Sequence, residues 1–147
     1  MDSKDINPGT NNGWMLLFTV WVLVTVATLG SLFFSEVMGV PICTLCWYQR
    51  VAMYPLVLIL GIGLLPYDPK VLRYATGFAG VGWLIALFHV LLVAGIIPKN
   101  VQPCVQGIPC TETHISLLGF LNIPMLSLLT FTVIGVLLFY THRMEPS

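Results

Sequence analysis

The run WMLLFTVWVLVTVATLGSLFF (14–34) decides the fold class, because it holds 21 residues and no charge. As a helix rising about 1.5 Å per residue it matches the roughly 30 Å hydrocarbon core of a bilayer. It is too long for the apolar segment of a signal peptide, and it has neither a basic leading segment nor an obvious small-residue cleavage site. Moving outward from it, further apolar runs occupy 46–65, 74–97 and 115–140. The expected fold is an all-α integral membrane protein, a four-transmembrane-helix bundle with short loops over 14–140. The polar, turn-rich residues 1–13 are expected to form a disordered tail, and 141–147 a short cytoplasmic one. Composition agrees, since 8% of the 147 residues are charged and 57% hydrophobic, where a soluble domain has about a quarter charged. With six scattered basic residues and no formal net charge, nucleic-acid binding is excluded.

The runs carry informative interruptions. Pro55 removes a backbone hydrogen bond from the second, which a bundle tolerates, and Asn122 and Pro124 break the fourth. Ala75, Gly77, Ala79, Gly80 and Gly82 open the third and are expected to let helices approach closely. Four passes place both termini on one side. If that side is cytoplasmic, it holds Lys4, Lys70, Arg73 and Arg143, leaving Lys99 and Arg50 toward the outer face, as the positive-inside rule favours.

Between the first two runs lies PICTLCWYQR (41–50), with Cys43 and Cys46 at C-x-x-C spacing. Two intervening residues let the sulfurs meet when the first cysteine begins a helix, the geometry of a dithiol that cycles with a disulfide. The partial positive charge of the helix start, and Arg50 one turn beyond Cys46, both favour a thiolate at Cys46. The same spacing also serves a structural disulfide or half of a zinc site. A second pair, Cys104 and Cys110, encloses five residues in the longest polar connection, 98–114. Alone it reads as a loop staple. With both pairs on one oxidising face, a thiolate of one can attack the disulfide of the other. Zinc held by the four thiolates is the less favoured reading, because a five-residue gap is wide for such sites, and no metal is expected.

Arg50 at membrane depth is a functional hypothesis by default. His89 is the other ionisable side chain well inside a run, at a depth similar to that of Arg50. The two are expected to line one pocket facing the Cys46 sulfur, against the plainer readings of an interfacial arginine and a packing histidine. His114 and His142, at helix ends, read as ordinary polar residues.

The string P-x-C-x-x-C-W-Y-Q-R at the start of the second of four helices, followed by a loop cysteine pair between the third and fourth, resembles the DsbB family of membrane thiol:quinone oxidoreductases. The C-x5-C loop is similar to its BdbC-type branch, the disulfide formation protein C group. In vitamin K epoxide reductase the order of the two pairs is reversed. The resemblance implies a relay in the bacterial inner membrane with the cysteine pairs outside. An extracytoplasmic thioredoxin-fold thiol oxidase (DsbA-like), reduced by its clients, attacks Cys104 and forms a mixed disulfide from which Cys110 is released; Cys110 attacks Cys43 and frees Cys46, the thiolate that meets a quinone, ubiquinone or menaquinone. It also implies Arg50 as a quinone-site residue, with His89 a looser match. The best-known members have a much longer loop between the loop cysteines, and an acidic residue is frequent at the position of Gln49. The competing hypothesis is a non-catalytic membrane scaffold or small transporter subunit stapled by its disulfides.

Overall fold

The computed structural model describes residues 8–39, 42–101, 116–117 and 121–144. Four helices are long and apolar enough to cross a membrane: α1 (Pro8–Glu36), α2 (Thr44–Leu64), α3 (Val71–Val93) and α4 (Ile123–Met144). A 3₁₀ turn at Lys99–Val101 follows α3. Strands β1 (Ser116–Leu117) and β2 (Leu121–Asn122) pair antiparallel just before α4. Each helix packs against two neighbours in the closed ring α1-α2-α3-α4.

The helix boundaries depart from the apolar runs for local reasons. Residues 8–13 belong to α1 and not to a disordered tail: Pro8 sits at the first helical position, where its missing N–H costs nothing and its fixed φ suits the helix. The fourth helix starts at Ile123 and not at 115, because Pro124 fits the first turn of a helix but not its interior. The third ends at Val93, short of 97. There Gly95 takes φ +77°, and its N–H and that of Ile96 bond the Leu92 and Leu91 carbonyls, the 5→2 and 6→1 bonds of a glycine-terminated helix.

Spacings of three and four build the core. Leu17, Val20 and Val24 of α1 face Leu56 and Leu60 of α2, Leu72, Ala75, Ala79 and Ala86 of α3, and Phe131, Ile134 and Leu138 of α4 in one buried cluster. Leu58, Ile62, Leu84 and Val136 point outward and are at least 60% exposed. That arrangement would aggregate in water and suits a surface wetted by lipid.

Only part of the small-residue stripe packs. Ala75, Ala79 and Gly82 are buried, whereas a Cβ at Gly77 or Gly80 would meet nothing within 4 Å, so those two glycines are not the contact points the sequence suggested. At Gly82 a Cβ would lie 2.2 Å from Phe131 Cε1 and 2.5 Å from Cζ. Phe131 is itself fully buried, and its ring must shift to admit the methyl group. Gly82→Ala is therefore expected to destabilise the bundle by about 1–3 kcal/mol. Thermal unfolding in detergent, with Gly80→Ala as the neutral control, checks it.

Candidate functional site: a dithiol between an imidazole and an apolar cavity

Cys43 is the N-cap of α2, with extended backbone (φ −76°, ψ 160°), and its sulfur accepts a hydrogen bond from the Cys46 N–H. One turn on, the Cys46 sulfur lies 2.9 Å from it, and both thiols are free. The capping position brings the first sulfur to a helix start rich in unsatisfied N–H groups. The hydrogen bond with the Cys46 side chain, and after it that with His89, hold the Cys43 thiol well below the ordinary thiol range against the opposing effect of burial. The donors of the helix start thus converge on the Cys43 sulfur, the cysteine before the one to which the sequence assigned them.

His89 arrives from α3 and is 2% exposed. Its Nε2 lies 3.8 Å from Cys43 Sγ and its Nδ1 lies 3.4 Å from Gln49 Nε2. This contact places the start of α2 and the end of α3 at one end of the bundle. The connection carrying Cys104 and Cys110 leaves α3 at this end, and Ile97, early in it, packs against the small cluster of Cys43, Leu45 and Leu92. Cys104, Cys110 and His114 themselves lie outside the described residues.

Arg50 turns the other way. Its Nε donates to Ser31 Oγ at 2.8 Å, and its Nη2 donates to the Ser31 carbonyl, so the guanidinium is tied to α1. It stands in the wall of a cavity of about 340 Å³ between α1, α2 and α4, within the range of small-molecule sites. Cys46, Gln49, Met53 and Tyr54 line it from α2, Ser31 and Phe34 from α1, and Leu126 and Thr130 from α4. His89 is not in this wall. Arg50 and His89 therefore do not share one pocket: they flank the dithiol helix on different faces. Similar depth said nothing about azimuth, and one residue of offset rotates a side chain by about 100° around a helix.

Gln49 is the residue that sequence reasoning left without a role. It is 6% exposed, bonds His89 and also reaches the cavity wall, linking the two sides of the site. A signal was present: Leu45, Gln49, Ala52, Leu56 and Leu60 recur at the four-three spacing of the buried seam of α2, so position 49 faces inward and position 50 does not.

Four spanning helices around a half-buried, hydrogen-bonded dithiol with an open cavity at its second sulfur define a multi-pass membrane protein suited to thiol–disulfide chemistry. The chain belongs to the DsbB family: the family model for disulfide bond formation protein DsbB matches residues 11–141. It is 48% identical over 125 residues to a probable disulfide formation protein C 2 of Bacillus cereus, covering 85% of this chain and 89% of that one. It is 43% identical to the disulfide bond formation protein C of Bacillus subtilis (84% and 89% covered) and 40% identical to a probable disulfide formation protein of Metapseudomonas resinovorans (88% and 91% covered). No solved structure matches the chain. It is accordingly a membrane oxidoreductase that generates disulfide bonds, and not a stapled scaffold.

Proposed function

We propose that the protein reoxidises an extracytoplasmic thioredoxin-fold dithiol oxidase and delivers the electron pair to a membrane quinone seated in the cavity beside Arg50. The observation that carries this reading is that Cys46 and Arg50 stand in one cavity wall. A reacting sulfur thus faces a mostly apolar space with a fixed cation at its edge. When bound, the quinone accepts two electrons and two protons and leaves as quinol. The partner's thiolate attacks Cys104, which breaks the Cys104–Cys110 bond and frees Cys110; the partner's second thiol then attacks the mixed disulfide, leaves as the oxidised partner and frees Cys104. Cys110 attacks Cys43, and the Cys43–Cys110 bond leaves the Cys46 sulfur free on the cavity side; Cys104 attacks Cys110 to restore the loop disulfide, and the Cys43–Cys46 dithiol would give its electron pair to the acceptor as its own disulfide re-forms. The net change is two partner thiols oxidised to one disulfide and one quinone reduced. Arg50 stabilises negative charge at Cys46 and on an acceptor oxygen, and His89 serves the Cys43 end of the pair.

The bundle's topology supports the orientation this scheme needs. The α2–α3 turn with Lys70 and Arg73, and the end of α4 with Arg143, lie at the end opposite Cys43. Under the positive-inside rule that end is cytoplasmic, with the dithiol at the outer face of a bacterial cytoplasmic membrane.

The test is anaerobic mixing of the purified protein with a reduced thioredoxin-fold oxidase and either ubiquinone or menaquinone, following the quinone absorbance. Stoichiometric quinol formation with partner oxidation is the expected result. Thiol exchange with the partner but no reduction of either quinone would overturn the acceptor assignment.

Ser31 positions the guanidinium, so its hydroxyl should matter without touching the dithiol. A hydrogen bond to a charged group contributes about 1.5–3 kcal/mol, and the Ser31 carbonyl bond survives substitution. Ser31→Ala is expected to lower quinone turnover about tenfold, and Ser31→Thr to keep most of it. In a double-mutant cycle Ser31→Ala should add nothing to Arg50→Met.

A further inference from the structure

The sulfurs of Cys43 and Cys46 and a ring nitrogen of His89 all lie within 4.8 Å of one another. Bond lengths of about 2.3 Å to sulfur and 2.0 Å to nitrogen require ligand atoms roughly 3.5–3.8 Å apart around a tetrahedral ion. The Cys43 Sγ to His89 Nε2 separation is already 3.8 Å. The two sulfurs, at 2.9 Å, need to part by roughly 1 Å to reach that spacing, a movement within reach of χ1 rotation at a helix start.

Two thiolates and an imidazole are the donors of a soft or borderline d¹⁰ cation, not of magnesium or calcium. Two thiolates also neutralise a divalent ion, so the complex is uncharged and suits a buried place where an unpaired ion would be costly. Cys46, the second sulfur, also borders the cavity. Behind the ligand set, Gln49 lies against His89 Nδ1. With Nε2 on the metal, Nδ1 carries the proton, and the Gln49 amide turned by half a rotation offers its oxygen to it, the orienting contact metal-bound histidines almost always have.

We propose that the reduced Cys43–Cys46 pair together with His89 is a capture site for a thiophilic divalent cation of the zinc and cadmium class, which locks the dithiol reduced. Binding displaces the two thiol protons and transfers no electrons; the fourth position is left to water or an added thiol. The disulfide form has no thiolates to offer and does not bind. The site differs from a four-thiolate centre, because the imidazole stands where loop cysteines would, and it does not depend on which molecule accepts the electrons.

The test uses the full-length chain carrying Cys104→Ser and Cys110→Ser, so that the loop contributes no thiol. It is reduced with a phosphine, freed of reductant and titrated with Cd²⁺ under argon. The readouts are the ultraviolet sulfur-to-cadmium charge-transfer absorption and native mass. One Cd²⁺ per reduced chain and none per disulfide chain is expected. His89→Ala should weaken binding about 100-fold or more and Gln49→Ala about tenfold, while His89→Cys, which keeps a ligand at the position, should restore it. Unchanged affinity in His89→Ala would reduce the site to dithiol chelation and overturn the proposal, as would equal binding by the oxidised chain or no charge-transfer band. Blocked alkylation of Cys43 and Cys46 by Zn²⁺, reversed by a chelator, is the matching expectation for the physiological ion, and alkylation at the unprotected rate would count against it.

Discussion

Cys46→Ser should bring quinone reduction down to the rate without enzyme, and Cys43→Ser should do the same, with the bundle still folded in the membrane. A serine hydroxyl stays protonated where a thiol ionises and cannot enter a disulfide, so electron delivery from the loop pair to the quinone does not survive. Stability is carried elsewhere. The large buried cluster uses residues of all four helices and neither cysteine, and Cys43 belongs to a separate small group with Leu45 and Leu92. The two variants should therefore match the parent protein in membrane insertion and in thermal unfolding, while partner in excess of one equivalent stays reduced in the presence of quinone. Failure of either variant to insert would make the pair a structural element, and residual turnover in Cys46→Ser would move the quinone-facing role to another group.

Arg50→Met should lower quinone turnover about a hundredfold while leaving exchange with the thioredoxin-fold partner nearly intact. The size follows from the roughly 3 kcal/mol lost when one preorganised donor beside a developing anion is deleted. The separation of the two effects follows from geometry: the guanidinium is held by Ser31 on the cavity side, and His89 stands at Cys43 without lining that cavity. Lysine should be a partial substitute, because it keeps the charge but cannot reproduce the fork that engages the Ser31 hydroxyl and carbonyl together. Steady-state quinone reduction against quinone concentration, paired with single-turnover exchange with the partner, separates the two. Equal loss in both assays would mean that Arg50 supports the dithiol itself, and unchanged quinone kinetics would leave it an anchor between α2 and α1.

The contrast between Arg50 and His89 shows where legibility ended. Depth along a helix is a matter of counting residues, and the count put both near the C-x-x-C. Azimuth also depends on which seam of each helix is buried. The seam of α3 through Leu72, Ala75, Ala79, Gly82, Ala86 and His89 turns the imidazole inward toward α2, and the seam of α2 carries Gln49 inward and leaves Arg50 toward α1. Gly77 and Gly80 lie off the contact face for the same reason, since composition cannot distinguish a glycine on the contact face from one facing lipid.

By itself the sequence determined the class of fold and the class of chemistry. A bilayer admits few ways of burying backbone polar groups, so four apolar runs of sufficient length mean four helices, and a C-x-x-C followed by W-Y-Q-R marks the family. Only the tertiary structure decided which groups stand beside which sulfur. Side-chain partners across helices depend on helix rotation and on packing between residues tens of positions apart, as in the contacts from Cys43 to His89 and from Arg50 to Ser31. Those relations set His89 on one face of the dithiol and the cavity with Arg50 on the other, with Gln49 between them, an assignment that no spacing within a single run contains.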